Sequence, residues 1–177
     1  MIVAFTGQRG HGKNTAADAL IAKGFVPMAF ADPIRDIAKI AYGLQDHEMA
    51  DPILKEATLA RWPFKSPRDI LQRVGTEMFR KYVDDTWVHA LKFRIQKALD
   101  SGAPGVVITD LRFLNEAAML RNAGATILKI IDPRKPHNDA ASQHQSEMEI
   151  DKITPDWTIT NDQTIARLHV AVLDILF

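Results

Sequence analysis

The stretch Gly7-Gln8-Arg9-Gly10-His11-Gly12-Lys13-Asn14-Thr15 constrains this chain more than any other part of it. It follows a short apolar run at residues 2–5 and leads into Ala16, Ala17, Leu20 and Ile21, which recur at helical spacing. A glycine-rich turn between a strand and a helix lets the backbone curl with its N–H groups inward, and the helix start adds the positive end of its dipole. Such a turn cradles phosphate oxygens. It reads as a P-loop in which Gly7, Arg9, Gly10, His11, Gly12 and Asn14 form the wrap and Lys13 bridges the β- and γ-phosphates of ATP. The hydroxyl that usually follows the lysine directly arrives one residue late, at Thr15, which is the candidate magnesium ligand. The competing reading is an ordinary glycine-rich turn. A dinucleotide-type Gly-x-Gly-x-x-Gly is absent, because Thr15 stands at its third glycine position.

The rest of the chain alternates β-branched runs with helical periods, the pattern of an α/β fold around a parallel sheet. Strands are predicted at residues 2–5, 26–30, 106–109, 126–131 and 157–160. Asp32 before Pro33 predicts an N-cap, with the helix ending at Gly43. Ser66-Pro67 repeats the device and opens a helix reaching about Tyr82, with Ile70, Leu71, Val74 and Met78 inward. Further helices are predicted from near Thr86 to Gly102, from about Asn115 to Gly124, and from near Asp162 to the end, the last burying Ile165, Leu168, Val172 and Ile175. Residues 46–65 and 132–151 show no period and read as mobile covers.

Two further places carry chemistry. The apolar run at Val106, Val107 and Ile108 ends in Thr109-Asp110-Leu111-Arg112, so an acid and an arginine stand at the carboxyl end of a buried strand, where open α/β sheets bind ligands. Asp110 can hold magnesium and Arg112 can neutralise a phosphoryl group, or both can be a solvated strand end. Glu116 follows one turn later, and Asn115 reads as a helix cap. On the helix from Pro67, Arg68, Gln72, Gly75, Thr76 and Phe79 lie opposite the apolar stripe. A helical glycine costs about 1 kcal/mol relative to alanine, so Gly75 calls for an offset. That offset is either close approach of a flat ligand, with Gln72 and Arg68 meeting a base edge, or helix packing. Trp87 is either a stacking platform or a core residue.

Composition closes off several classes. There is no cysteine among the 177 residues, which excludes disulfides, thiolate zinc sites, iron–sulfur clusters and cysteine nucleophiles. Lys plus Arg and Asp plus Glu are 22 each, leaving no global field for a polyanion, and nucleic acid is not an expected partner. No apolar run approaches the roughly 18 residues that cross a bilayer, so the expectation is a cytoplasmic protein without a membrane partner.

The order of these elements is recognisable. Gly12-Lys13-Asn14-Thr15 with Ala16-Ala17-Asp18, then Phe30-Ala31-Asp32-Pro33, then Leu71-Gln72-Arg73-Val74-Gly75-Thr76-Glu77, then Asp110-Leu111-Arg112-Phe113 with Asn115-Glu116, resembles the phage-type deoxynucleoside monophosphate kinases over nearly the whole chain. His144, Ser146 and Glu147 match a His-x-Ser-Glu element, and Asn161 stands just before the final helix. Asn14 departs from the aspartate common there.

The resemblance implies a three-layer P-loop kinase fold, with a five-stranded parallel sheet flanked by helices and a short lid. It implies one domain over residues 1–177, with an acceptor-binding insert at about 44–100 and a lid at about 132–151. It also implies transfer of the ATP γ-phosphoryl group to a deoxynucleoside monophosphate. In that picture Arg68, Gln72, Gly75, Thr76, Trp87, Asp110, Arg112 and Glu116 line the acceptor pocket. Lys13, Asp110 and Arg112 act on the transferring group, Asn161 joins the ATP-binding set, and Thr15 and Asp110 hold Mg2+. Arg134 and Lys135 are the lid candidates, and His144 is read as ordering the lid, the competing reading being a metal site with His137. A homodimer in the cytoplasm of a host cell would suit a phage relative. The rival readings are a P-loop kinase of another small acceptor, such as dephospho-coenzyme A or a phosphorylated metabolite, and an ATP-binding module without catalysis.

Overall fold

The computed structural model of the protein describes residues 1–60, 65–135 and 149–177. Strands β1 (Ile2–Thr6), β2 (Val26–Met28), β3 (Val106–Ile108), β4 (Thr126–Ile131) and β5 (Trp157–Thr160) form one parallel sheet in the order β2-β3-β1-β4-β5. Among the described residues the helices are α1 (Lys13–Ile21), α2 (Asp32–Tyr42), α3 (Asp46–Ala50), α4 (Pro67–Gln72), α5 (Thr86–Asp100), α6 (Leu114–Asn122) and α7 (Ile165–Leu176). A 3₁₀ turn spans Leu54–Glu56, and α4 runs on in π-helical form over Arg73–Arg80.

The chain divides into two compact units, Met1–Ala29 with Leu91–Phe177, and Phe30–Ala90. The first holds the sheet. In register, Val3 lies beside Val107, Phe5 beside Leu128 and Ile130 beside Ile159, so these side chains share one face. They form a single core with Ala16, Ala17 and Leu20 of α1 and Leu168 and Val172 of α7. The alternate residues Ala4, Ile108 and Ile127 are fully buried on the other face, as expected of strands covered on both sides. The second unit is helical, with a smaller core of Ala38, Leu44, Met49, Ile70 and Val74. It overlaps the insert expected at about 44–100 but begins and ends earlier.

The five strands fall where the sequence pattern predicts them, and the helices differ from it in five places. Asp32 is the first helical residue of α2 and Ala31 the N-cap, while Gly43 ends the helix in the left-handed conformation as expected. Ser66 does cap α4, its hydroxyl accepting from the Asp69 N–H at 3.2 Å. Beyond Gln72 that helix widens, the Lys81 N–H reaching back five residues to the Thr76 carbonyl. The wider turn rotates the stripe, which is why Met78, expected inward, is 45% exposed. The last helix starts later than expected, capped by Thr164, so Ile165 sits in its exposed first turn at 62%. Asn115 is not the cap of α6, which begins one residue before it. Residues 46–65, without predicted structure, carry α3 and the 3₁₀ turn.

Candidate functional site

In the first unit the glycine-rich loop is built from backbone conformations that other residues rarely adopt. Gly7, Gly10 and Gly12 have φ of +129°, +79° and +95°. A Cβ at Gly7 would stand 2.3 Å from the carbonyl oxygen of Ile130 on the neighbouring strand, and one at Gly12 would stand 2.4 Å from the Asn161 side-chain nitrogen. Lys13 begins α1 with its side chain buried, and Nζ donates to the carbonyls of Gly7 at 2.6 Å and Gln8 at 2.8 Å. The ammonium is thus held inside the curl of the loop. His11 is buried, Arg9 and Asn14 are exposed, and Thr15 is half-buried.

Asn161, Lys135 and His169 hold this loop from distant parts of the chain. Asn161, just past β5, donates from Nδ2 to the His11 carbonyl at 3.0 Å, and its own N–H bonds the Ile131 carbonyl at 2.7 Å. Lys135 Nζ donates to the Gly10 carbonyl at 2.7 Å. His169 of α7 lies with Nε2 2.8 Å from the Thr15 carbonyl; that oxygen only accepts, so the ring nitrogen donates. Beside them, Arg134 forks onto Asp132, Nε to Oδ1 at 2.8 Å and Nη2 to Oδ2 at 3.0 Å, and Nη2 also donates to the Asn161 carbonyl at 2.9 Å. The Arg134 hydrogen bond holds the Asp132 carboxyl down at about 2, against the opposing effect of its burial.

Asp110 and Arg112 follow β3, the neighbour of β1, and both are half-buried. The buried Glu116 reaches back from the first turn of α6 and accepts from the N–H groups of Arg112 at 3.0 Å and Phe113 at 3.1 Å. Its carboxylate therefore shapes the turn that carries Arg112.

In the second unit, Gln72 is exposed while Arg68 and Thr76 are half-buried, and Arg68 Nε pairs with Glu56 on the 3₁₀ turn. Gly75 is buried, and a Cβ there would meet the tip of Ile34 at 2.9 Å. Trp87 is 3% exposed, its indole N–H donates to the Gly75 carbonyl at 2.8 Å, and its ring meets Phe79 at 5.1 Å between centroids. Burial pushes Asp69 up, but hydrogen bonds from Arg73 and the Lys65 N–H outweigh it and leave its carboxyl below the usual value.

The sequence pattern did not single out Asp132, His169 or Glu56. Each bonds a residue that the pattern did name, and only the hydrophobic stripe around His169 hinted at which face of a helix it occupies. His137, His144, Ser146 and Glu147 lie outside the described residues. Among the described residues, no group of three or more His, Asp or Glu side chains is placed to hold a metal ion by itself. No helix of the described residues is long and apolar enough to cross a membrane.

Comparison with known proteins identifies the family and the fold. The family model for deoxynucleotide monophosphate kinase matches residues 61–172. A protein of Acanthamoeba polyphaga mimivirus named "Putative deoxynucleotide monophosphate kinase" is 31% identical over 185 residues, which cover 98% of this chain and 94% of the viral one. The uncharacterized protein ORF77 of Ictalurid herpesvirus 1 is 27% identical over 98% of this chain and 69% of its own length. Among solved structures, dephospho-CoA kinase from Campylobacter jejuni superposes with a TM-score of 0.57 at 15% identity, covering 99% of this chain and 94% of that one. Shikimate kinase from Aquifex aeolicus gives 0.55 at 16% identity, covering 99% and 96%. At such identities the two structures speak for the fold alone, the P-loop kinase α/β sandwich.

Proposed function

The chain belongs to the deoxynucleotide monophosphate kinase family, and from that footing we propose how its own residues carry out the transfer. As an ATP-dependent nucleotide kinase it moves the γ-phosphoryl group of ATP to a deoxynucleoside monophosphate, giving the diphosphate and ADP. An oxygen of the acceptor phosphate bonds to the γ-phosphorus while the bond from that phosphorus to the bridging oxygen breaks, its electron pair leaving with ADP. A phosphate monoester has a second pKa of about 6, so the acceptor is already mostly dianionic at neutral pH and needs no general base. What remains is to place two anions in line and to screen them.

The loop of residues 7–15 holds the donor phosphates on its N–H groups, with Lys13 on the β- and γ-phosphates. Arg112 neutralises the group in transfer. Arg134 and Asn161 contact ATP beside the loop, and residues of about 132–151 act as the lid. Thr15 and Asp110 offer a hydroxyl and a carboxylate, hard oxygen donors of the kind magnesium takes together with nucleotide phosphates. When bound, that ion supplies neutralisation of the β- and γ-oxygens. Arg68, Gln72 and Thr76 contact the acceptor, Gln72 at the base edge, within the insert of about 44–100. Gly75 and Trp87 shape the helix that presents them, while Glu116 holds the backbone that carries Arg112. Residues 1–177 work as one kinase domain. The viral relatives support a setting in the cytoplasm of an infected host cell, phage or otherwise, and a homodimer is the assembly we expect.

The observation that carries this reading is the inward-held Lys13 at the start of α1, inside a loop bonded by Asn161 and flanked by Arg134. The test is ADP release from ATP and magnesium with each of the four common deoxynucleoside monophosphates, their ribo counterparts and dephospho-coenzyme A, using Lys13→Ala as the blank. Acceptor-dependent ADP with the matching diphosphate is the expected result and ranks the bases. ATP binding without release for any monophosphate would overturn the acceptor assignments.

A further inference from the structure

Asp132 directly follows β4, with its side chain 5% exposed, while its partner Arg134 is 58% exposed. Among the described residues the carboxylate takes three donors, all from Arg134: the backbone N–H at 3.0 Å, Nε at 2.8 Å and Nη2 at 3.0 Å. The second Nη2 hydrogen goes to the Asn161 carbonyl at 2.9 Å, and Asn161 in turn bonds the His11 carbonyl inside the glycine-rich loop. A guanidinium has five N–H groups in a fixed plane. Three are therefore committed, and among the described residues the two on Nη1 take no acceptor. A buried anion that grips one edge of an exposed arginine fixes where its other edge and flat faces point. Through Asn161, that direction is tied to the loop itself.

The geometry points to Asp132 as a positioning residue for ATP: it sets the Arg134 plane in register with the phosphate loop, so that the Nη1 edge meets the donor nucleotide already oriented. This rests on the assignment of Arg134 to ATP made above. Nothing in the transfer passes through Asp132, whose oxygens face only Arg134 in the contacts just described. Its contribution is the conformational freedom that the arginine no longer has to lose when ATP arrives. The effect should therefore fall on the donor alone.

Four variants test it: Asp132→Asn, Arg134→Met, the two combined, and Arg134→Lys. Asparagine has the same shape but cannot accept on both oxygens. Lysine keeps the charge without the fork, and at an exposed position it leaves folding intact. For each, kcat, the KM for ATP and the KM for a deoxynucleoside monophosphate are measured, with the melting temperature alongside. Asp132→Asn and Arg134→Lys should each raise the KM for ATP about tenfold and leave the acceptor KM within about twofold. The combined variant should be no worse than Arg134→Met, since an arginine that is gone cannot be misplaced. If Arg134→Met and Arg134→Lys raise the KM for ATP while Asp132→Asn does not, the positioning role is wrong and the ATP assignment stands. Full additivity in the double variant also overturns it. Should Arg134→Met leave the KM for ATP unchanged, the ATP assignment fails first and the positioning role with it. An Asp132→Asn variant that does not fold leaves the decision to Arg134→Lys, whose unchanged KM for ATP would refute the need for the fork.

Discussion

The two compact units are secured in different ways. In the sheet unit the contacts around the phosphate loop join residues far apart in the chain: Lys135 to Gly10, Asn161 to His11, and His169 to Thr15. In the helical unit the ion pairs are mostly three or four residues apart, as in Arg35 with Asp32, Arg73 with Asp69 and Glu77, and Arg80 with Asp84. Pairs so near in sequence tie a helix to itself and do little to join one element to another. Its core is also smaller. The unit we propose for the triphosphate is cross-braced, whereas the unit we propose for the acceptor is locally tied and has more room to adjust. Such adjustment is what recognition of more than one base would require.

The contrast can be broken most forcefully at Lys13. Lys13→Ala should lower kcat by about 10³-fold if, as we propose, the lysine is the fixed cation of the donor site. A circular dichroism spectrum like that of the unaltered protein would show that the loss is chemical. The same chemical change in both units sharpens the comparison. Gly7→Ala forces a side chain onto a φ of +129° and against the Ile130 carbonyl, and should destabilise by about 3 kcal/mol in urea unfolding. Gly75→Ala gains helix propensity and meets only the flexible tip of Ile34, so its net effect should stay within about 1 kcal/mol. Equal losses at both positions would erase the distinction.

Gln72→Ala should shift the ratio of kcat/KM between two monophosphates by about tenfold while the KM for ATP stays within about twofold. An unchanged ratio across all four bases would remove Gln72 from base recognition. The smallest effect concerns pH. The Asp132 carboxyl is held at about 2 instead of 3.8, so its contribution to stability is complete above the higher value and is lost as pH falls through the lower. The stability difference between the unaltered protein and Asp132→Asn should therefore be flat from about pH 8 to 5 and vanish between about pH 4 and 2. Acid unfolding of the pair measures this.

What was legible in the sequence was what local pattern determines. The strand runs, the glycine loop, Gly43 and the Ser66 cap each announce a backbone state within a few residues. The π-helical widening did not announce itself, because Val74 and Met78 fit an α-helical stripe equally well on paper. Trp87 had two readings, and the bond from its indole to Gly75 shows how it packs: a residue twelve positions away supplies the acceptor. Glu116 was visible as an acid near Arg112, but its two backbone bonds depend on how the chain turns after β3. Asp132 and His169 were illegible for the same reason, since an aspartate before a proline and a histidine on a helix face acquire meaning only from partners elsewhere.

The close fit of Gly7 beneath the Ile130 carbonyl has a consequence for the order of assembly. The loop is among the first segments in the chain, yet its curvature is set by a strand that lies more than a hundred residues later, and it is braced by Asn161 later still. Contacts of such long sequence separation form slowly, because much chain must be ordered before they close. A folding chain would acquire its helices well before it could pair these strands and grip a phosphate. Nucleotide affinity would then report the completed sheet, and ATP, by binding only that finished form, would stabilise the last step of folding and none of the earlier ones.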